Sequence, residues 1–354
     1  MPKIDVEPLR TLLACLAGEA PEDADWPNLL AAANQALVTG ILAARIDGHV
    51  PEAVRAFLGT IHRRALERNS RLKRQLEEAA SSLNAAGIQP ILLKGTAMLD
   101  TAGLDYGARI LSDLDIMVPA RAMATARHCL EAAGYRLCVH EDNPFAAMNL
   151  CREQDVGMVD LHCRTKVRYP GFDFEDLVGD CAAVRCGRAS AWLPSPTSQA
   201  LILILHDQLQ ERDYWRGLID LRHLLDLAEL ARTPGIDWER LAAHFPRGHP
   251  RNALDVQLAT LELLFGVPAP VPHRPRWTSL QLRRRILQLR WPGLGSFFTL
   301  LTLLFDPPRQ AGFGRGRTMP AGRGRFRNAT FSARLRHAPA SVNRFLVRKN
   351  PGKI

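Results

Sequence analysis

The residues with the clearest chemical potential in this sequence are Asp113 and Asp115, which alternate with apolar residues in the run SDLDIMV at positions 112–118. Successive strand side chains point to opposite faces, so both carboxylates are predicted to share one face while Leu114 and Ile116 enter a core. Neighbouring carboxylates repel each other, and burying them without a partner is costly. A divalent cation removes both problems, and Mg²⁺ or Mn²⁺ prefers oxygen ligands. An exposed turn with acidic caps would explain the pair but not its alternation.

A third acid, Asp160, lies in a second short alternating run, GMVDLH at positions 157–162. If this run pairs with the first strand, Asp160 comes beside Asp113 and Asp115. We therefore expect these three carboxylates to be the catalytic residues and the metal ligands, with Asp160 also a base for an attacking hydroxyl. His162 falls on the Asp160 face, where we expect a hydrogen-bonded neighbour rather than a ligand.

A candidate phosphate-binding segment, Lys94-Gly95-Thr96, follows a short apolar run. Its turn lets backbone N–H groups and a hydroxyl approach a phosphate closely. Lys94 and Arg109 are expected to offset the charge of a triphosphate, and Ser112 completes the expected nucleotide contacts. The alternatives are a strand-end lysine that reaches solvent and a solvated loop arginine.

The elements predicted to position these residues alternate between helices and strands. A long amphipathic helix precedes the first strand, with apolar residues at helical spacing up to Leu83 and Gly87 at its end. After the two-aspartate strand, Pro119 opens a helix that ends before Gly134, and further strands follow. This order indicates an α/β (α+β) core with a mixed sheet.

The character of the sequence changes near residue 190, where helical patterning replaces the strands. We predict an N-terminal helical segment at 1–52, a catalytic core at 53–190 and a helical domain at 191–305. A basic, Gly/Arg-rich tail is predicted at 306–354. A length of 354 residues fits about two domains with a substantial core.

Several motifs follow one another in the order of a known family. They are a helix ending in a glycine, LLKG at 92–95, R-x-x-S-D-h-D-h-h-V at 109–118, VDLH at 159–162, and helical segments around Leu205-His206 and 218–221. Together they resemble the uncharacterised bacterial nucleotidyltransferases with a DNA-polymerase-β-like catalytic core. The likeness covers roughly residues 55–230. It departs where the usual glycine-serine is Gly95-Thr96, although threonine keeps the hydroxyl.

The resemblance implies a polymerase-β-like nucleotidyltransferase core plus a helical domain. It implies a Mg²⁺-dependent (or Mn²⁺-dependent) enzyme that moves a nucleoside monophosphate from a nucleoside triphosphate, expected to be ATP, to a hydroxyl or similar acceptor. One ion would be held by Asp113 and Asp115 and a second shared with Asp160 while pyrophosphate leaves. Relatives occur beside genes of ribosomal-peptide biosynthesis, which favours a peptide, protein or small-molecule acceptor.

The resemblance also implies that a helical face carrying His206, Asp220 and His223 closes over the nucleotide. The alternative is that Asp220 pairs with a histidine or an arginine inside the helical domain. Two other functions stay open: a non-catalytic nucleotide- or RNA-binding regulatory protein, and a small metal-binding scaffold for a peptide partner. The sequence has no P-loop, dinucleotide-binding, nucleophile-elbow or H-E-x-x-H motif, which leaves the two-acid strand as its main chemical signature.

The net charge of +10 is concentrated at one end of the sequence. Residues 306–354 contain twelve Lys or Arg and one Asp, so the remaining residues sum to about −1. Such a tail is expected to contact nucleic acid or an anionic membrane surface, with a solvated tail as the alternative. The run at 291–305, fifteen residues without a charge, is too short to span a bilayer. A buried helix is expected there, or else an interfacial helix assisted by the tail.

Seven cysteines without C-x-x-C spacing indicate reduced thiols rather than a zinc site. The N-terminal residues turn acidic and lack an uninterrupted apolar stretch, so they make a poor secretory signal. Hydrophobic residues make up 47% of the chain and charged residues 23%, which is typical of a globular protein. We therefore expect a cytoplasmic protein.

Overall fold

The computed structural model describes residues 6–46, 50–99, 105–139, 147–164, 172–268, 270, 275–308 and 352–354. The predictions for the Gly/Arg-rich part of the tail lie outside these residues. Within them the chain is a mixed α/β protein, which confirms the fold class predicted from the sequence.

The described chain begins with three short helices and one long one. These are α1 (Glu7–Leu16), α2 (Trp26–Gln35), α3 (Thr39–Arg45) and α4 (Glu52–Ala85). Asp25 caps α2 by accepting the backbone N–H of Asn28 at 3.3 Å. Apolar residues at helical spacing, among them Leu72 and Leu76, give α4 one buried face. Gly87, at a φ of 74°, then turns the chain into the sheet.

Seven strands in the described residues form one mixed sheet. They are β1 (Ile91–Leu92), β2 (Asp113–Met117), β3 (Arg136–Val139), β4 (Ala147–Cys151), β5 (Met158–His162), β6 (Cys181–Cys186) and β7 (Ala189–Pro194). Their order across the sheet is β3-β4-β5-β2-β1-β7-β6. β2 pairs antiparallel with β1 and parallel with β5, so the two acid-bearing strands lie in the middle.

Helices pack against the sheet and separate some of the strands. The short helix α5 (Lys94–Met98) follows β1, α6 (Met123–Ala132) follows β2, and α7 (Phe174–Val178) precedes β6. Leu114 and Ile116 are fully buried in a core with residues of α4 and α6, as their alternation predicted. Asp113 and Asp115 therefore face the other side of the sheet.

The described part of the chain after β7 is mainly helical. Its elements are α8 (Pro196–Leu205), a π-helical turn (His206–Gln210), α9 (Asp213–Arg216), α10 (Leu221–Arg232), α11 (Trp238–Ala243), α12 (His249–Phe265), α13 (Pro275–Arg290) and α14 (Gly295–Phe305). Residues of α8, α10 and α12 share one buried core with those of α1, α2 and α3. The N-terminal segment therefore packs with the helical half, while the predicted domain boundaries stay a prediction. Among the described helices, none has the length and apolar character needed to cross a bilayer.

One pair of cysteines departs from the predicted reduced thiols. β3 and β4 pair antiparallel and bring the Cα atoms of Cys138 and Cys151 to 6.0 Å, where they form a disulfide. The prediction is therefore wrong for this pair. Its thirteen-residue spacing resembles no disulfide motif, and the two residues meet only because β3 and β4 pair.

The uncharged run at 291–305 is not the buried helix that we expected. Most of it forms α14, where five large apolar side chains are exposed, Phe298 and Leu303 are partly buried, and Thr299 and Thr302 are buried. The expectation failed because hydropathy does not fix which face of a helix meets the core.

Candidate functional site

Asp115 and Asp160 lie side by side on adjacent parallel strands. β2 and β5 pair so that Asp113 is opposite Met158 and Asp115 is opposite Asp160. Asp115 is only 5% exposed. One oxygen from each of Asp115 and Asp160 and one nitrogen of His162 lie within 4.8 Å of one another. The structure thus brings Asp115 and Asp160 together, and their catalytic and metal-binding roles stay predictions.

One imidazole bridges the two carboxylates. His162 Nε2 lies 3.2 Å from Asp115 Oδ1 and 3.1 Å from Asp160 Oδ2. Burial lowers the pKa of His162, but hydrogen bonds to both carboxylates outweigh burial and raise the pKa to about 9. The ring is therefore an imidazolium at neutral pH, and it offsets the repulsion between the two acids.

Lys94 contacts the same oxygen of Asp115 as His162 does. Its Nζ lies 2.8 Å from Asp115 Oδ1. Burial lowers the pKa of Lys94, but Asp115 more than reverses this and raises it above the ordinary value. Burial raises the pKa of Asp115, whereas Lys94 and His162 bring it well below the ordinary value. Because Lys94 is paired with Asp115 and its side chain is only 16% exposed, the alternative of a lysine that reaches solvent is wrong.

Thr96 lies behind Asp115 within helix α5. Its side chain is fully buried, and its hydroxyl oxygen accepts the backbone N–H of Asp115 at 2.8 Å. A Cβ atom on Gly95 would lie 2.6 Å from Leu111 Cδ2, so a larger residue at this position would displace the leucine. The geometry shows Thr96 holding β2 in place, and the contacts of Gly95 and Thr96 with phosphate stay predictions.

Asp113 is the less buried of the two acids on β2. Ser112 Oγ donates a hydrogen bond of 2.8 Å to Asp113 Oδ1. Burial, followed by the charge of Asp115, raises the pKa of Asp113. Among the described residues, the 4.8 Å group around Asp160 does not include Asp113. A carboxylate with a raised pKa has incomplete charge compensation, which a cation would supply.

Arg109 forms a buried ion pair with Asp226 of α10. Burial and the charge of Arg222 lower the pKa of Arg109 to about 9. The side-chain amide of Asn69 holds the Arg109 loop by donating to the carbonyl oxygens of Tyr106 and Arg109, at 2.6 and 2.5 Å. The alternative of a solvated loop arginine is therefore wrong, and a phosphate contact by Arg109 stays a prediction.

A second polar cluster adjoins Lys94 from the helical half. His206 Nδ1 and His223 Nδ1 lie 3.0 and 2.8 Å from Asp207 Oδ1. His206 begins the π-helical turn, a feature frequent at functional sites. Burial and then the charge of Lys94 lower the pKa of His206 to about 4. The imidazole of His206 is therefore neutral at pH 7.

The group His206, Asp207 and His223 has the spacing of a metal site, and neighbouring lysines supply positive charge beside it. Burial raises the pKa of Asp207, but His223, His206 and the charge of Lys353 lower it well below the ordinary value. Lys94 and Lys353 both place positive charge near this group, which offsets the charge of Asp207. We interpret the group as a hydrogen-bond network that forms the wall of the site.

Some polar residues of this interior were expected and others were not. Asp220 caps α10 by accepting the backbone N–H of His223 at 3.0 Å, and its Oδ2 lies 3.6 Å from His223 Nδ1, which is the pairing with a histidine expected inside the helical half. Lys353 forms a buried ion pair with Asp213, and no pattern in the tail indicated this. The sequence did hold one sign that Asp226 is paired, because an acid in a run of buried leucines needs a cationic partner.

The acids on β2 and β5 fit a divalent cation. Asp160 Oδ1 is buried and has no hydrogen-bond partner in the described part of the chain. A buried carboxylate oxygen in this state favours a positive ligand. Asp113, Asp115 and Asp160 supply oxygen donors only, the set that suits Mg²⁺ or Mn²⁺.

Comparison with known proteins gives a family match. The family described as uncharacterised nucleotidyltransferase matches residues 22–266, a span that contains the sheet, the acid-bearing strands and the second polar cluster. No curated protein matches the chain.

Proposed function

Because the chain belongs to this family of uncharacterised nucleotidyltransferases, we propose that it moves a nucleoside monophosphate from a nucleoside triphosphate to an acceptor. The observation that supports this most directly is the in-register pairing of Asp115 with Asp160 beside a buried, unpartnered Asp160 oxygen. We propose ATP as the donor and a hydroxyl or similar group on a small molecule, peptide or protein as the acceptor. A nucleoside triphosphate as substrate agrees with the cytoplasmic location expected from the sequence.

Three carboxylates would hold the metal in this proposal. Asp113, Asp115 and Asp160 would bind Mg²⁺ or Mn²⁺. When bound, such an ion offsets the charge of the phosphates and lowers the pKa of the acceptor hydroxyl. Lys94, now paired with Asp115, supplies the ammonium that contacts the triphosphate. The guanidinium of Arg109 adds positive charge beside Gly95. A Cβ atom added to Gly95 would lie 3.8 Å from Arg109 Nε.

Asp160 is the proposed base. His162 Nε2 lies 3.1 Å from Asp160 Oδ2 and holds the carboxylate in place. Asp160 Oδ1 would then receive the proton of the acceptor hydroxyl. His162 is a positioning residue in this scheme, because it acts through both carboxylates. Ser112 has a similar role at Asp113, where its hydroxyl orients the carboxylate.

One observation favours the alternative of a regulatory protein that binds a nucleotide or RNA without turnover. The carboxylate of Asp115 is already neutralised by Lys94 and His162, so this part of the fold is electrostatically balanced without a metal. A protein that only binds a nucleotide or RNA would need no further positive charge at Asp115. A catalyst would need Lys94 to exchange its carboxylate partner for a phosphate.

The decisive experiment is transfer of label from nucleoside triphosphates labelled at the α-phosphate, with Mg²⁺ or Mn²⁺ and an extract that supplies acceptors. We expect a labelled product with the wild type and its loss in Asp160→Asn. Glu153→Gln, which removes an exposed acid near the same strands, is the matched control and should retain transfer. Binding of nucleotide without any labelled product, and equally in Asp160→Asn, would replace the enzyme with the binding protein.

A further inference from the structure

The helices α13 and α14 bury polar residues and expose apolar ones. Arg285 is fully buried and donates to Thr260 Oγ1 at 2.6 Å and to Gln208 Oε1 at 2.7 Å. Arg284 donates to the hydroxyl of Thr302 and to the carbonyl oxygen of Trp215. These contacts fix the orientation of both helices, because rotating either one would leave buried guanidinium groups unpaired.

The exposed residues of α13, α14 and the turn between them include large apolar side chains, here called the apolar patch. Nine of the twelve large apolar side chains exposed in the described residues lie here, which makes the patch a concentrated feature rather than ordinary surface. The exposed fractions reach 59% at Phe297 and 68% at Phe305. The patch consists of Leu280, Leu287, Trp291, Leu294, Phe297, Leu300, Leu301, Leu304 and Phe305.

Arginines alternate with these apolar residues along α13. Arg276, Arg283 and Arg290 are exposed on the same face as Leu280 and Leu287, at helical spacing.

The guanidinium of Arg290 lies 5.1 Å from the ring centre of Trp291. The sequence between Pro275 and Phe305 contains no Asp or Glu. A second copy of this face would therefore set arginine against arginine without a counter-charge.

We propose that α13 and α14 dock the protein on the surface of an anionic lipid bilayer. The apolar face would enter the headgroup boundary, while the arginines and Trp291 would contact phosphates and the interface. The eleven residues of α14 span roughly 16 Å, so the helix lies along the surface rather than across it. The tail adds positive charge from the eleven Lys or Arg within 309–349, since Lys353 is paired with Asp213. This docking does not depend on the proposed transfer reaction.

The test is co-sedimentation of the full chain with vesicles of phosphatidylcholine alone or mixed with phosphatidylglycerol, at about 0.15 M salt. The tail is kept whole, because Lys353 pairs with the buried Asp213. We expect binding to the anionic vesicles and at least a tenfold loss in Phe297→Gln/Leu301→Gln/Phe305→Gln. Phe57→Gln/Leu66→Gln, which alters two exposed apolar residues of α4, is the matched control and should bind like the wild type.

The outcomes separate lipid from other occupants. Arg283→Glu/Arg290→Glu should reduce the preference for anionic over neutral vesicles while leaving the melting curve unchanged. Undiminished binding of the triple variant would assign the binding to the tail and overturn the proposal. Absence of vesicle binding together with a dimer that the triple variant abolishes would assign the face to a second copy instead.

Discussion

The backbone N–H of Asp115 donates a hydrogen bond of 2.8 Å to the side-chain oxygen of Thr96. Both residues are buried, so no solvent replaces the acceptor if it is lost. The contact joins α5 to the middle of β2, at the residue whose carboxylate meets Lys94, His162 and the acid of β5. The position of that carboxylate therefore depends on a hydroxyl from the neighbouring segment.

Thr96→Val should test this dependence. The variant keeps the volume but removes the acceptor, so the free energy of unfolding should fall by about 1–3 kcal/mol, the cost of an unsatisfied buried donor. Nucleotide transfer should fall as well, because Asp115 is no longer fixed. Urea unfolding measures the first effect. Thr96→Ser keeps the hydroxyl and should lie closer to the wild type; equal losses in both variants would show that the hydrogen bond contributes little.

The Arg109–Asp226 ion pair should dominate the coupling between the Arg109 loop and α10. Arg109→Ala leaves a buried carboxylate without a partner and should lower the free energy of unfolding by about 3–5 kcal/mol. Arg109→Met/Asp226→Leu replaces both charges with apolar groups and should recover much of that loss. Chemical unfolding of the single and double variants is the measurement. A double variant no more stable than the single one would show that the pair is not energetically coupled.

The sequence indicated the acid-bearing strands because their signal is local. Alternation at Asp113 and Asp115, and again at Asp160, specifies which face each residue occupies. The partner of Arg109 was not predictable in the same way. Asp226 lies far along the chain on α10, and the sequence of the Arg109 loop does not show how that helix packs. Lys353 was missed for the same reason, since a single lysine of the tail returns to a buried acid.

Acid should destabilise the fold through His206. Its pKa is about 4 in the folded protein, against about 6.5 for an ordinary histidine, because burial and the charge of Lys94 disfavour protonation. Between these two values the unfolded chain binds more protons, so stability falls as the pH falls. Melting curves from about pH 7 to about pH 4 should show this decline. His206→Gln should flatten it, whereas His128→Gln, at an exposed position of α6, should not.

His162→Gln should make the fold depend on a divalent cation. The variant removes the imidazolium that separates Asp115 from Asp160, so their repulsion is less compensated. Without metal the melting temperature should fall. With Mg²⁺ it should rise by more than in the wild type, since the ion supplies the lost positive charge. An equal response to Mg²⁺ in both proteins would argue against a metal site at these two carboxylates.

The proposed reaction depends most sharply on Asp113 and Asp160. Asp113→Asn keeps the size of the side chain, and folding should survive or improve without ligand, because burial and Asp115 already disfavour the charged form.

Transfer should nevertheless fall by at least about a hundredfold, the scale expected when a preorganised charge-stabilising group is lost. Asp160→Asn should cost at least as much, since it removes both a proposed ligand and the proposed base. The measurement is nucleotidyl transfer beside a melting curve for each variant, with Mg²⁺ titrated and Glu153→Gln as control. Retained transfer in a folded Asp160→Asn would remove the mechanism. If transfer is absent even in the wild type and Asp113→Asn binds nucleotide with Mg²⁺ equally well, the binding protein is the correct assignment.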